Sequence, residues 1–215
     1  MLKAENIQKT YGNLQVLKGI SLDVKKGEII SIVGASGAGK STLLHILGTL
    51  DQPDQGDLWI NDQKVSALNS NQLARFRNQH IGFVFQFHNL LPEFTALENI
   101  CMPGMIAGKE EKEIKPRAEE LMALLRIEHR KEHKPSEMSG GEQQRASVAR
   151  ALINNPAIVF ADEPSGNLDS ANADELHDLF FKLRKELDQT FVIVTHNKSF
   201  AEMADRQVEI RDGKI

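Results

Sequence analysis

The apolar run Ile29-Ile30-Ser31-Ile32-Val33 passes directly into Gly34-Ala35-Ser36-Gly37-Ala38-Gly39-Lys40-Ser41-Thr42, and no other stretch narrows the possible folds as much. The run has the Ile/Val content of a strand buried on both faces, and the residues from Lys40 onward have helical spacing. Glycines between two such elements let the backbone turn its amides inward, and the helix start adds the positive end of its dipole. Gly34, Gly39, Lys40 and Ser41 fit G-x-x-x-x-G-K-[ST] in the strand–loop–helix context that this motif requires. The pattern predicts that residues 34–42 cradle a nucleoside triphosphate. Lys40 is expected to reach the β- and γ-phosphates, and the Ser41 hydroxyl to face Mg2+. Kinases, GTPases and motors share this loop, so by itself it leaves the reaction open.

A second candidate site ends the apolar stretch Ile158-Val159-Phe160-Ala161 in two carboxylates, Asp162 and Glu163. Asp162 is placed to hold Mg2+ directly or through water, and Glu163 to polarise a water in line with the γ-phosphate.

Strand patterns cover Leu2 to Ile7, Val16 to Val24, Glu28 to Val33, Asp57 to Asn61, Ile81 to Phe85, Ala157 to Ala161, Phe191 to Thr195 and Gln207 to Ile210. Helical patterns cover Lys40 to Gly48, Asn71 to Asn78, Pro116 to Arg126, Glu142 to Ile153 and Ser170 to Leu187. Buried-type strands alternating with helices predict an α/β fold: a P-loop NTPase core with a mostly parallel sheet. The first hundred residues add alternating strands that predict an N-terminal antiparallel β-subdomain. From about Phe87 to Asn155 no convincing strand occurs, which predicts an inserted helical subdomain. The expected organisation is one domain over 1–215, with a core of about 1–86 and 156–215 and a helical subdomain of about 87–155. No internal repeat or low-complexity tract interrupts it.

The bulk properties exclude several classes. With 26 Lys+Arg against 30 Asp+Glu, the formal charge of −4 provides no general attraction to nucleic acid, and no nucleic-acid partner is expected. The longest apolar runs fall far short of the ~20 residues of a spanning helix. Met1 to Asn6 has neither an apolar core nor a cleavage-like site, so no secretory signal is expected and the cytoplasm is the expected address. The single cysteine, Cys101, reads as a packing residue. His129 and His133 have an i, i+4 spacing but no evident third metal ligand, and read as exposed residues. Lys109 to Lys115 reads as a solvated loop or helix start, Leu121 to Ile127 as core, and Trp59 as a packed strand residue.

Met138-Ser139-Gly140-Gly141-Glu142-Gln143-Gln144-Arg145 separates the P-loop families, because it resembles the signature of the ATP-binding cassette (ABC) ATPases. Tyr11 stands where that family has its adenine-stacking aromatic, and Gln86 where it has the Q-loop glutamine. Gly166-Asn167-Leu168-Asp169 matches its D-loop, and His196 its switch histidine. The resemblance spans nearly the whole chain. It departs from the common pattern at Met138 for Leu, Glu142 for Gln and Asn197 for Asp.

The resemblance implies ATP as the nucleotide and Ser139, Gly140, Gly141 and Glu142 as a second phosphate cradle, directed at the ATP of another copy. Two chains then close head to tail around two Mg-ATP. Lys40, Gln86, Glu163 and His196 act on the nucleotide of their own chain, with Gln86 also touching the metal beside Ser41 and Asp162. It further implies integral membrane subunits as partners, contacted near residues 86–100, and a peripheral place on the cytoplasmic side of the bacterial inner membrane. Within the family, residues 87–100 and 161–169 resemble the lipoprotein-releasing ATPases and their relatives in macrolide efflux and cell division. A soluble, non-transport cassette ATPase is the alternative from a different class.

Overall fold

The computed structural model describes all residues, Met1–Ile215. Two sheets form its frame. β1 (Leu2–Tyr11), β2 (Leu14–Val24), β4 (Gln55–Ile60) and the two-residue β5 (Gln63–Lys64) make an antiparallel sheet in the order β2-β1-β4-β5. The second sheet is parallel. Its order is β6 (Ile81–Phe85), β7 (Ile158–Asp162), β8 (Thr190–Val194), β3 (Ile29–Val33) and β9 (Arg206–Glu209). Ile158 to Ala161 and all of β8 are buried, as the unbroken apolar character of these strands requires.

Seven helices complete the fold: α1 (Lys40–Leu47), α2 (Ser70–His80), α3 (Ala96–Ile106), α4 (Glu111–Leu124), α5 (Gly140–Leu152), α6 (Ser170–Leu187) and α7 (Lys198–Met203). Several start where a polar side chain accepts from an orphan amide of the first turn. Thr95 and Ser139 do so reciprocally with Glu98 and Glu142, and Asp169 and Asn197 cap α6 and α7. Leu43, Leu44, Ile46 and Leu47 of α1 pack into a core shared with both sheets, together with Ile7, Leu17, Phe160 and Val192. On the other side of the parallel sheet, α3, α4, α5 and α6 share a second core around Ile100, Leu121, Val148 and Phe180. No helix is long and apolar enough to cross a membrane.

Three local expectations are corrected. α4 begins at Glu111, not at Pro116, because the charged run 109–115 carries Ile114 into the core and so continues the helical face toward the N-terminus. α3 and α7 lie where periodicity specified no helix. Pro103 and Gly104 interrupt the pattern of α3, yet Gly104 lets Ile114 of α4 pack close: a Cβ there would stand 3.0 Å from Ile114 Cγ1. Trp59 is only partly buried on β4, with the ammonium groups of Lys3 and Lys64 at 5.7 and 5.4 Å from its ring centroid. Cys101 is buried, and burial pushes its thiol up to about 11.

Candidate active site

The parallel sheet brings the candidate residues to the carboxyl ends of β3, β6, β7 and β8, where α/β folds bind ligands. After β3 the chain turns through Gly39, whose φ of 103° is open to glycine but costly for other residues, and α1 begins without a side-chain cap. The amides of Gly37, Gly39, Lys40, Ser41 and Thr42 donate to no protein acceptor. Lys40 is buried at 7 % exposure, and its Nζ donates to the Gly34 and Ala35 carbonyls at 3.0 Å each, leaving one ammonium proton. Residues 34–42 contain no carboxylate. Bare amides, a helix dipole and one cation suit phosphate oxygens. Beside the loop opens a pocket of about 470 Å³, lined among others by Leu14, Val16, Ser36, Gly37 and Arg211.

Ser41 Oγ donates to Asp162 Oδ1 at 3.1 Å, so the helix start and the end of β7 present two hard oxygen ligands side by side. His45 Nε2 lies 3.7 Å from Asp162 Oδ2. The next residue, Glu163, leaves β7 in the left-handed region at φ 47°. Such a conformation costs about 1–3 kcal/mol in a non-glycine residue and needs support from its surroundings. Support comes from the Glu163 amide, which donates to Val194 O at 2.9 Å, and from its carbonyl, which accepts from the Gly166 amide at 3.0 Å.

His196 closes over the Glu163 carboxylate. Its amide donates to Glu163 Oε2 at 3.1 Å, while its Nε2 stands 3.3 Å from Oε1 without hydrogen-bond geometry, leaving Oε1 buried and unpartnered. Burial pushes the Glu163 carboxyl above the usual range and Asp162 adds to that; the His196 amide, His196 and Lys40 oppose it. A partly desolvated carboxylate with one free oxygen, held beside the cradle, is what a water-orienting base requires.

Gln86, just beyond β6, faces another way. Its Nε2 donates to Asn167 Oδ1 at 3.0 Å and Asn167 Nδ2 returns a bond to the Gln86 carbonyl at 3.1 Å. No hydrogen bond joins Gln86 to Ser41 or Asp162. Tyr11 is 49 % exposed and held by its hydroxyl, which donates to Asp51 Oδ2 at 2.5 Å, with Lys9 Nζ 5.1 Å from the ring centroid. Lys9 in turn donates to Asp51 Oδ1 and the Gln52 carbonyl. Asn167 and Asp51 thus fix candidate residues from distant parts of the chain, with Lys9 bracing Asp51, and nothing in local sequence marks them as doing so.

Ser139 caps α5: its Oγ accepts from the Glu142 amide at 3.3 Å and donates to Glu142 Oε2 at 3.0 Å, and its own amide donates to the same oxygen at 2.8 Å. Glu142 Oε1 accepts from Arg130 Nε at 2.7 Å and lies 3.3 Å from His129 Nε2. These donors overcome partial desolvation and hold the Glu142 carboxyl down at about 2. The Gly140 and Gly141 amides have no protein acceptor, and no hydrogen bond joins residues 139–141 to the loop 34–42. A Cβ on Gly141 would stand 2.6 Å from Asn172 Oδ1, so this helix packs closely on the start of α6. A Cβ on Gly140 would meet only Leu168 Cδ2 at 3.7 Å; nothing within the chain demands its bare backbone.

A nucleotide-type cradle, an acidic strand end and a second capped amide cradle on one α/β frame define an ABC-type cassette, and the family comparison agrees: the ABC transporter family matches residues 17–166, and the chain belongs to it. Among its relatives, the lipoprotein-releasing system ATP-binding protein LolD of Cytophaga hutchinsonii is 62 % identical over all of this chain and 98 % of its own length. The LolD protein of Bacteroides thetaiotaomicron is 58 % identical over all of this chain and 99 % of its own. The fold is similar to the dimeric post-hydrolysis structure of the cassette MJ0796 bound to ADP and Pi, at a TM-score of 0.91 and 40 % identity, over 100 % of this chain and 96 % of that one.

Proposed function

We propose that this chain is the ATP-hydrolysing subunit of an ABC transporter that releases lipoproteins from a membrane, working as a head-to-tail dimer around two Mg-ATP. The observation that carries the reading is the second cradle. Gly140 and Gly141 offer free amides at a helix start beside the Ser139 hydroxyl, which is engaged with Glu142, and none of the three bonds to the chain's own phosphate loop. The lipoprotein-releasing names of relatives identical at 58–62 % over the whole chain support the biological task, and the dimeric cassette bound to ADP and Pi supports the assembly and the reaction.

In this mechanism the free amides of Gly37 and of residues 39–42, with the remaining Lys40 proton, bind the β- and γ-phosphates and neutralise charge that grows as the bond to the γ-phosphorus breaks. Ser41 and Asp162 hold Mg2+, which when bound draws charge from the phosphate oxygens. They are only two ligands, and no cluster of three His, Cys, Asp or Glu is present, which suits a cation that keeps waters and phosphate in its shell. The His196 ring turns from Glu163 Oε1 to bond the γ-phosphate, which opens that oxygen to orient the attacking water and take its proton, while the His196 amide keeps Glu163 aimed through Oε2. Gln86 turns from Asn167 toward the metal or the water when the nucleotide is in place, and Tyr11 stacks on the base. We assign residues of about 87–155 to a helical subdomain that moves against the core, with Gln86 at its hinge.

Phe87, Leu91 and Phe94 lie exposed next to that hinge, the first at 73 %, and form the contact for membrane subunits near residues 86–100. The protein thereby sits on the cytoplasmic face of the bacterial inner membrane as a peripheral subunit. Replacing Ser139 by Arg tests the second cradle: turnover falls by at least about 100-fold while nucleotide binding to the monomer persists. Undiminished turnover would refute the assignment.

A further inference from the structure

A carboxylate beside atoms meant to receive a phosphate is an electrostatic conflict, and Glu142 stands in that position. Its Oε2 is 3.0 Å from Ser139 Oγ, and it takes the only proton that hydroxyl has. Phosphate oxygens only accept, so Ser139 can bond one through its hydroxyl only by turning that proton away from Glu142. We propose that Arg130 is a positioning residue for hydrolysis: it anchors Glu142 through Oε1 and balances its charge, so that the Ser139 hydroxyl can turn to the γ-phosphate held by a second copy of this chain. The proposal rests on the composite-site reading above.

The geometry separates the two functions of the carboxylate. Oε1 belongs to Arg130 Nε at 2.7 Å, with His129 Nε2 at 3.3 Å, and Oε2 keeps the Ser139 amide at 2.8 Å when the hydroxyl leaves. The helix cap therefore survives the switch. Of the two neighbouring bases, Arg130 is permanently charged, nearer and less exposed, its side chain 31 % accessible against 58 % for His129. Its backbone is fixed: the Arg130 amide donates to the carbonyl of Ile127, a core residue, and its carbonyl accepts from His133, both at 2.9 Å. Without Arg130 the full charge of Glu142 would hold the hydroxyl more tightly and repel the arriving phosphate. The departure from glutamine at position 142 and the arginine twelve positions earlier are thus one device.

The test is a double-mutant cycle on ATP-driven dimerisation, read by sedimentation with Mg-ATP in the Glu163→Gln background. Arg130→Ala is expected to raise the dimer Kd about tenfold where Glu142 is present, the scale of one lost charge-assisted bond, and less than about twofold where Glu142→Gln is also introduced. Arg130→Lys, which keeps the charge, is expected to stay within about threefold of the parent, and a fluorescent ATP analogue is expected to bind the Arg130→Ala monomer as it binds the parent monomer. An equal loss in both Glu142 backgrounds, or no loss in either, overturns the proposal. Failure of the parent Glu163→Gln chain to dimerise overturns the composite site itself, an outcome distinct from a dimer insensitive to Arg130.

Discussion

Ser41 and Asp162, one at the start of α1 and the other at the end of β7, meet through a hydroxyl–carboxylate hydrogen bond of 3.1 Å. The parallel sheet makes this contact: β3, which feeds the phosphate loop, and β7 both pair with β8, so their carboxyl ends lie on one edge of the sheet. If this pair holds the metal, Asp162→Asn keeps the shape and removes the charge. The Mg2+ concentration for half-maximal ATPase is then expected to rise by about 10–100-fold, with nucleotide binding in EDTA little changed. A titration of activity against Mg2+ checks it.

The raised carboxyl of Glu163 predicts a pH dependence with a definite sign. The base works ionised, and burial favours the protonated form, so activity is expected to fall on acidification at a pH above the ordinary carboxylate value of 4.5. For stability, a carboxyl raised on folding contributes fully below its unfolded pKa, and the contribution is lost as pH rises through the folded one. Glu163→Gln is therefore expected to melt higher than the parent at neutral pH, with the difference vanishing below pH 4.5. Thermal melts across that range decide the matter.

Glu142 predicts the opposite trend. Its carboxyl is depressed to about 2 against an ordinary 4.5, so its contribution is present above 4.5 and is lost as pH falls towards 2. Glu142→Ala removes the carboxylate half of the α5 capping box and an arginine partner, and is expected to cost about 1–2 kcal/mol at neutral pH. Denaturant titrations at several pH values are expected to show that cost shrinking across this acidic window.

Wherever function was concentrated in a short contiguous stretch, the sequence was informative. The strand–loop–helix turn at 34–42, the strand ending in Asp162-Glu163 and the parallel character of the buried strands follow from local pattern, while the order of those strands in the sheet does not. Long-range partners did not. The family resemblance places Glu142 at a nucleotide contact, and only the fold places Arg130 and His129 on its other oxygen. The same resemblance makes Gln86 a metal neighbour, and only the fold ties it to Asn167. α3 was hidden for a different reason: Pro103 and Gly104 break its local pattern, while packing of Gly104 against Ile114 keeps the helix intact.

Phe87 tests the docking surface apart from the chemistry. With 73 % of its surface exposed beyond β6, its replacement by Glu places a charge on the apolar contact without disturbing the core. Phe87→Glu is expected to abolish copurification with membrane subunits, while the Glu163→Gln, Phe87→Glu double variant still dimerises with Mg-ATP.

The central claim is that each triphosphate is held by two copies of this chain. The direct measurement is the sedimenting mass and nucleotide content of Glu163→Gln with Mg-ATP. The account predicts a species of twice the 24.0 kDa chain mass carrying two ATP, which returns to monomer when Ser139→Arg is added. A nucleotide-loaded protein that stays at the single-chain mass, or a dimer indifferent to Ser139→Arg, would contradict it.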